Sequence, residues 1–287
     1  MLSLYLQFFF SGLTQGSIYA LVALGLTIIY QSSALFNFAH GELVVLAAFL
    51  MISLLLVAKI PVAVAFLVAV VLVTIVGVVT ERVLIRPLYR APVFVVLLVT
   101  MAGSFLIKGV ALLIWGTQNL ALPALVEGPP LSIGGATIVP QAVVVLLATA
   151  LLLTGVWFFF ERTYFGKALK ASAENRVAAS LVGINVQRMV VLSFAMSAAL
   201  GAVAGILIAP ITMVNYEDGT LLLLKGISAS IFGGLSSLPG AVLGGLLLGL
   251  FESYAAATIS ALFKDAIALV VLLVILLVRP NGLLGKE

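Results

Sequence analysis

The chain has 287 residues, of which 64% are apolar and only 8% are charged, and its mean hydropathy is +1.34. A water-soluble protein needs charged faces on its helices, so this composition excludes a soluble domain and indicates a membrane protein. The net charge of +4 gives no reason to expect nucleic acid as a partner. Because the sequence has one histidine and no cysteine, it offers no disulfide framework and no multi-histidine or thiolate metal site.

Long apolar runs divide the sequence into segments of membrane-spanning length. A bilayer core about 30 Å thick needs roughly 20 helical residues, and continuous apolar runs favour helices over barrel strands. We therefore expect an all-α, polytopic transmembrane helix bundle of about eight to nine spans, forming a single domain over 1–287. One or two of the segments are candidates for re-entrant half-helices. The segments are 4–30, 41–58, 61–80, 92–115, 140–160, 189–209, 221–238, 240–259 and 265–279.

Basic residues predict the orientation, because loops rich in lysine and arginine stay in the cytoplasm. Three stretches are basic, namely 81–91, 161–188 and the C-terminal tail, whereas 116–139 and 210–220 are acidic. We expect the N-terminus outside, as a retained first span, and the C-terminus in the cytoplasm. The basic residues of the three stretches are Arg82, Arg86, Arg90, Arg162, Lys167, Lys170, Arg176, Arg188, Arg279 and Lys286.

The polar stretch 37–42, with the sequence NFAHGE, separates the first two apolar runs. Two interpretations stay open. The stretch is an interfacial turn in which Asn37 or Glu42 accepts from amides at the start of the next helix, or Glu42 lines a substrate path. A charged, unpaired side chain at a helix centre costs roughly 2.5 to 3.5 kcal/mol, so each such residue requires an explanation.

Two further charges lie at membrane depth. Lys108 precedes Trp115 by seven residues, so its long stem predicts snorkelling toward the interface or pairing with an acid. Glu252 lies inside a span with no basic residue close in sequence. It either faces a cavity or pairs across helices.

The stretch 161–188 predicts a short amphipathic helix. Its apolar residues recur at every fourth position, at Leu169, Ala173, Val177 and Leu181. Lys170 and Glu174 have the spacing of a helical ion pair, and Gly183 is expected to cap the helix. The helix either docks into a groove on a cytoplasmic partner or merely links two spans along the surface.

Pairs of glycines four residues apart predict close approach of helix backbones. They are Gly12 and Gly16, Gly201 and Gly205, Gly240 and Gly244, and Gly245 and Gly249. The glycine-rich run 232–253 reflects either the same tight packing or a helix broken near the midplane, which would expose backbone groups to a water-filled path.

Three blocks, in order along the chain, resemble the LivH-type permease family. They are GLTQGSIYALVALGLTIIYQSSALFNFAHGELVVLAAF from Gly12 to Phe49, ENRVAASLVGINVQR from Glu174 to Arg188, and FGGLSSLPGAVLGGLLLGLFE from Phe232 to Glu252. That family consists of membrane subunits of branched-chain amino-acid ABC importers, with relatives that import urea or short amides. The resemblance implies a non-hydrolytic subunit of a transporter in the bacterial inner membrane.

The resemblance also implies partners. These are a second, LivM-like permease subunit, two cytoplasmic ATPases that bind ATP and magnesium, an external substrate-binding protein and membrane lipid. The chain has no G-x-x-x-x-G-K-[ST] phosphate loop and is expected to hold no cofactor itself. The resemblance places ATPase coupling in the loop 161–188, at Ala173, Glu174, Asn175, Arg176 and Gly183.

An apolar amino acid needs a few polar partners for its ammonium and carboxylate groups. The candidates for lining the substrate path are Asn37, His40, Glu42 and Glu252. A self-contained secondary transporter or channel would use the same buried acids for ion coupling, and it remains the alternative function. An intramembrane enzyme is disfavoured, because the sequence lacks a catalytic constellation.

Overall fold

A computed structural model of the chain describes residues 2–89, 91–126, 128–259, 263–279 and 281–285. Arg90 and Lys286, two of the residues used to predict orientation, lie outside the described residues. The helices are α1 (Leu2–Ser33), α2 (His40–Ile52), α3 (Val62–Thr80), α4 (Val93–Trp115), α5 (Pro140–Arg162), α6 (Tyr164–Glu174), α7 (Arg176–Leu181), α8 (Val186–Ile208), α9 (Asp218–Gly233), α10 (Leu238–Thr258) and α11 (Lys264–Val278).

Short elements extend or connect these helices. π-helical turns continue α2 over Ser53–Val57 and α3 over Glu81–Ile85, and a 3-10 turn covers Arg86–Leu88. An antiparallel hairpin of β1 (Leu131–Ile133) and β2 (Ala136–Ile138) lies between α4 and α5.

The prediction of an all-α membrane bundle is confirmed. Within the described residues, seven helical segments are long and apolar enough to cross a bilayer. The helices α9 and α11 coincide with two further predicted segments, but with 16 and 15 residues they are shorter than a full span. The total of eight to nine spans therefore stays a prediction.

Helix α1 lies at the centre of the bundle because glycines let α10 pack directly on its backbone. A Cβ atom added to Gly249 would lie 2.2 Å from the amide nitrogen of Gly16, and one on Gly245 would lie 2.3 Å from that of Ala20. Residues of α1 are mostly buried, whereas α3, α4 and α5 are mostly exposed on the outside of the bundle. The predicted close approach of glycine-bearing helices is confirmed.

The helix that forms most of the glycine-rich run 232–253 is not interrupted. Helix α10 is continuous from Leu238 to Thr258. The turn before it meets the end of α1, where the side-chain amide of Gln31 donates to the Ser236 carbonyl at 2.8 Å. The prediction of a helix broken near the midplane is therefore wrong for this run. Its glycines bring α10 against α1 and α9.

The chain instead turns back into the bundle after α1. Ala34 has a φ of 55°, a left-handed conformation that ends the helix. Six residues later the His40 ring packs against Gly25 of α1 and Gly201 of α8. Gly25 precedes Ser33 by eight residues, so the segment 34–39 runs back along α1 by about 12 Å. Helix α2 thus begins inside the bundle.

The bundle has two distinct ends. At the hairpin end, the Gln7 side chain near the start of α1 bonds to the backbone of Thr137 in β2. At the other end, Arg176 of α7 bonds to Ser32 in the last turn of α1. This second end, called the basic end below, also holds Arg86, which donates to Gln187 at the start of α8 at 3.3 Å.

The α1–α10 contact generates a stability prediction. Gly249→Ala should lower the free energy of unfolding by roughly 1 to 3 kcal/mol, because the new methyl group forces the two backbones apart. Gly155→Ala in α5 is the matched control, since a Cβ there meets no atom within 4 Å. Thermal unfolding of the purified protein in detergent measures both. Equal stability of the two variants would contradict this account of the contact.

Candidate functional site: polar groups inside the bundle and the basic end

Glu42 lies in the first turn of α2 and is 3% exposed. Its Oε1 accepts from the hydroxyl of Ser104 in α4 at 3.2 Å and from that of Thr220 in α9 at 3.3 Å. The Lys108 ammonium also acts on this carboxylate electrostatically. Glu42 therefore joins α2, α4 and α9 in one polar cluster. Both hydroxyls donate to the same oxygen, and no helix-start amide among the described residues donates to Glu42, so of the two residues predicted to accept from those amides Glu42 is not the one that does.

Asn37 does bond to the amides before α2. Its Oδ1 accepts from the Ala39 amide at 3.1 Å, and its own carbonyl accepts from the His40 amide at 3.1 Å. The side chain is 1% exposed. The turn is therefore buried inside the bundle, and the prediction that it lies at the interface is wrong because the segment 34–39 folds inward.

His40 points away from Glu42, as expected for residues two apart on a helix. Its ring is fully buried, and its Nδ1 lies 3.0 Å from the Ser197 hydroxyl of α8. Glycines at positions 25 and 201 provide the space for the ring. Three of the four candidate path residues thus share one segment but occupy different surroundings. Whether any of them lines a substrate path stays a prediction.

Glu252 pairs across helices with a lysine that the sequence analysis did not single out. Its Oε2 accepts from Lys225 of α9 at 3.0 Å and from the Tyr19 hydroxyl of α1 at 2.7 Å. Lys225 also donates to the Tyr19 hydroxyl at 2.9 Å. Glu252 is 2% exposed. Lys225 interrupts an apolar run just as Lys108 does, so its position at membrane depth was a signal available in the sequence.

Glu252 also lines a cavity of about 270 Å³. The cavity lies where α1, α10 and α11 meet, toward the hairpin end. Its other lining residues include Gln15 and Lys264. Because Lys225 already neutralises Glu252, the pair holds three helices together with little net charge.

The basic end contains the predicted coupling segment in two pieces. The expected continuous helix is interrupted at Asn175, whose extended backbone ends α6 and starts α7. Its Oδ1 accepts from the Ala178 amide at 3.0 Å, which is an N-cap contact. An asparagine inside an amphipathic pattern was the signal for this break.

The break changes the apolar stripe. Leu169 is buried in the bundle, whereas Val177 and Leu181 are 70% and 82% exposed. The predicted single stripe is therefore wrong, and α7 instead presents its apolar residues to the surroundings. Lys170 pairs with Glu161 at the end of α5 and not with Glu174.

The other predicted coupling residues lie on the exposed surface of this region. Ala173, Glu174, Asn175, Arg176 and Gly183 are all exposed. Gly183 has a φ of 86° and closes α7, with its amide on the Ser180 carbonyl and the Ile184 amide on the Ala179 carbonyl. The predicted glycine cap is confirmed.

Arg176 connects α7 to the rest of the bundle. Its guanidinium donates to the Ser32 carbonyl at 2.7 Å, at the negative end of the α1 helix dipole. Tyr89 lies close enough for Arg176 to act on it, and it donates to Glu81. Burial, followed by that hydrogen bond, raises the pKa of Tyr89, so the phenol stays a neutral donor.

This fold, with charged groups buried among apolar helices and an exposed helix at one end, defines a multi-pass helical membrane protein. Comparison with known proteins identifies the family of membrane proteins to which it belongs. A family model described as "Branched-chain amino acid transport system / permease component" matches residues 8–278. The chain belongs to this family of permease components.

Curated relatives match over nearly the whole chain. The high-affinity branched-chain amino acid transport system permease proteins LivH of Escherichia coli (strain K12) and BraD of Pseudomonas aeruginosa are each 34% identical, covering 98% of this chain and 96% of theirs. A probable LivH of Methanocaldococcus jannaschii is 30% identical over 93% of this chain and 88% of its own.

The fold is also similar to that of a solved structure. It is described as PsaBC from Streptococcus pneumoniae in complex with Fab, and the match has a TM-score of 0.54 over 98% of this chain and 97% of that chain. The two sequences are 12% identical, so this likeness concerns the fold alone.

The Lys225–Glu252 pair generates a prediction. Lys225→Met or Glu252→Gln alone should lower the free energy of unfolding by roughly 3 to 5 kcal/mol, because each leaves a buried charge without its partner. The double variant should recover most of that loss. Thermal unfolding of the four proteins in detergent measures the cycle.

The exposed Lys170–Glu161 pair supplies the control for this cycle. Lys170→Met should change stability little, since solvent screens an exposed pair. Additive effects of the two buried substitutions would contradict the assigned pairing.

Proposed function

We propose that the chain is one permease subunit of an ATP-binding cassette importer that carries leucine, isoleucine and valine, or related small amides and urea, across the bacterial inner membrane. The observation that carries this proposal is similarity from end to end, at 34% identity, to proteins named as branched-chain amino acid permeases. The buried polar cluster around Glu42 supports it, since the ammonium and carboxylate of an amino acid need a few polar partners among apolar helices.

The power for transport comes from separate subunits. The complete assembly contains a second, LivM-like permease subunit, two cytoplasmic ATPases that bind ATP and magnesium, and an external substrate-binding protein. The absence of a G-x-x-x-x-G-K-[ST] phosphate loop from the sequence supports this division of labour. The chain itself binds no cofactor and hydrolyses nothing.

The basic end faces the cytoplasm, and the hairpin end faces outward together with the N-terminus. The distribution of arginines supports this orientation, since Arg86 and Arg176 both bond at the basic end. The C-terminus lies inside as well. Residues 283 and 284 support this, because their amides donate to the Phe232 and Gly233 carbonyls at the basic end of α9.

Helix α7 docks an ATPase, and Arg176 transmits the movement. Val177 and Leu181 offer an exposed apolar surface beside this arginine, which suits a hydrophobic groove on a partner. A shift of α7 pulls on the Ser32 carbonyl through the 2.7 Å bond. The next residues are the segment 34–39, which positions Asn37, His40 and Glu42. Displacement of α7 therefore reaches the buried polar residues by a short route.

The assembled transporter in proteoliposomes tests the function. With the binding protein and leucine outside, leucine should accumulate only when ATP is supplied to the ATPases. Uptake by the purified chain alone, driven by an ion gradient without ATP, would establish the alternative of a self-contained secondary transporter or channel.

Docking through α7 generates a prediction. Val177→Asp should reduce copurification of the ATPases by about tenfold or more, because a charge in the centre of an apolar contact costs at least about 1.4 kcal/mol. Met213→Asp is the matched control, since Met213 is 66% exposed but lies on the loop between α8 and α9 at the hairpin end. Equal ATPase recovery with the two variants would contradict docking through α7.

A further inference from the structure

Lys108 is a charged residue inside a span, and no carboxylate that the structure describes lies at ion-pair distance from it. Within the described ranges, the ion pairs are Lys170–Glu161 and Lys225–Glu252. Lys108 precedes the end of α4 by seven residues, or about 10 Å along the helix axis. Its Nζ lies 5.6 Å from the ring centroid of Tyr216, on the loop at the hairpin end. The side chain thus extends toward that end, as snorkelling predicts, and it forms no ion pair with any acid among the described residues.

Glu42 likewise lacks a partner of opposite charge at ion-pair distance among the described residues. Its two hydrogen bonds come from neutral hydroxyls at 3.2 and 3.3 Å, the long end of the normal range. No cation contacts it at ion-pair distance in the described part of the chain. Yet Lys108 is near enough to act on it electrostatically. An acidic and a basic side chain therefore lie near each other without forming a direct ion pair in the described part of the chain.

The two groups share one surface of the bundle. Ser104 and Lys108 are four residues apart on α4, so they lie on the same face of that helix. Ser104 contacts Glu42, and Thr220 of α9 contacts the same oxygen. Thr220 is exposed, and Leu221 and Leu224 beside it are 56% and 50% exposed. Polar and apolar groups thus meet at the junction of α2, α4 and α9.

A free α-amino acid complements this arrangement, because it carries an ammonium and a carboxylate on one carbon. We propose that Glu42 binds the ammonium group and Lys108 the carboxylate of the transported amino acid, with its apolar side chain against α9. The inference rests on the proposed function and adds the residues that recognise the substrate. Glu42 is assigned this role in preference to Glu252, because Lys225 already pairs with the Glu252 carboxylate.

The absence of cysteine from the sequence permits a direct test. Thr220→Cys places one thiol on this chain beside Glu42, and Leu224→Cys places a second reporter one turn along α9. The purified complete transporter reacts with N-ethylmaleimide with and without L-leucine, and the label on this chain is counted after the subunits are separated. At ten times its dissociation constant, leucine should slow modification of Thr220→Cys by about tenfold.

Removing a charged group from the ligand and removing its proposed partner from the protein should both reduce protection of the reporter cysteine. Leucinamide lacks the carboxylate and 4-methylpentanoate lacks the ammonium, so both should protect far less than leucine. Lys108→Met and Glu42→Gln should abolish protection by leucine, whereas Lys108→Arg and Glu42→Asp should retain part of it. Thr212→Cys on the exposed loop is the control, and its modification should not respond to any ligand.

Two failures are distinguishable in this design. If the parent transporter imports leucine but leucine protects neither reporter, or protects equally in the Lys108→Met and Glu42→Gln variants, this inference is wrong and the proposed function stands. If the parent transporter imports a small amide or urea but no amino acid, this inference is wrong and the proposed function stands, whereas import of none of these solutes means that the proposed function is wrong. Protection by leucine alone, lost in both charge-removing variants and kept in both conservative ones, supports the site.

Discussion

Direct backbone contact between α1 and α10 is the constraint on which the rest of the bundle depends. Gly16, Gly245 and Gly249 let the two helices approach until a single methyl group would overlap the opposite backbone. Between helices in lipid, such van der Waals packing replaces the hydrophobic effect that drives soluble folding. With α10 so close, α1 becomes the buried centre, and α8 and α9 pack around its remaining faces. The inward turn at 34–39 packs along α1, so it depends on the central position of that helix.

The lysines at positions 108 and 225 both lie inside the bundle, but their contacts differ. Lys225 lies against a carboxylate and a phenol from two other helices, an arrangement that satisfies all three groups. Lys108 faces an aromatic ring and a carboxylate that it does not reach. A satisfied pair holds helices together, whereas an unsatisfied pair has capacity left for a ligand. By this difference we distinguish Lys225, which pairs within the bundle, from Lys108, which is proposed to bind substrate.

Local signals in the sequence predicted much of this structure. Apolar runs predicted the long helices because bilayer thickness fixes their length, and Gly183 predicted the end of α7 because only a left-handed residue closes it. Contacts between distant residues were not predictable in this way. Nothing near Glu252 in the chain indicates Lys225, 27 residues away. Likewise, the inward fold of 34–39 depends on glycines in α1 and α8 that meet His40 only after the bundle assembles.

The basic end carries the surface proposed to contact an ATPase. Helix α7 exposes its apolar residues, while Arg176 ties it to the last turn of α1, immediately before the chain turns inward. A partner that moves α7 therefore acts within a few residues of the buried polar cluster. The proposed contact can transmit energy from ATP only if α7 lies on the side of the membrane where ATP is found.

The side on which α7 lies is the most direct test of this account. A single cysteine at Val177 should react with a membrane-impermeant maleimide in inverted vesicles from cells that lack the ATPases, where the proposed docking surface is uncovered, and stay unmodified in intact cells. A cysteine at Thr212, on the loop at the hairpin end, should show the reverse pattern. Modification of the Val177 cysteine from outside intact cells would contradict the account, because the proposed ATPase contact would then face away from the cytoplasm.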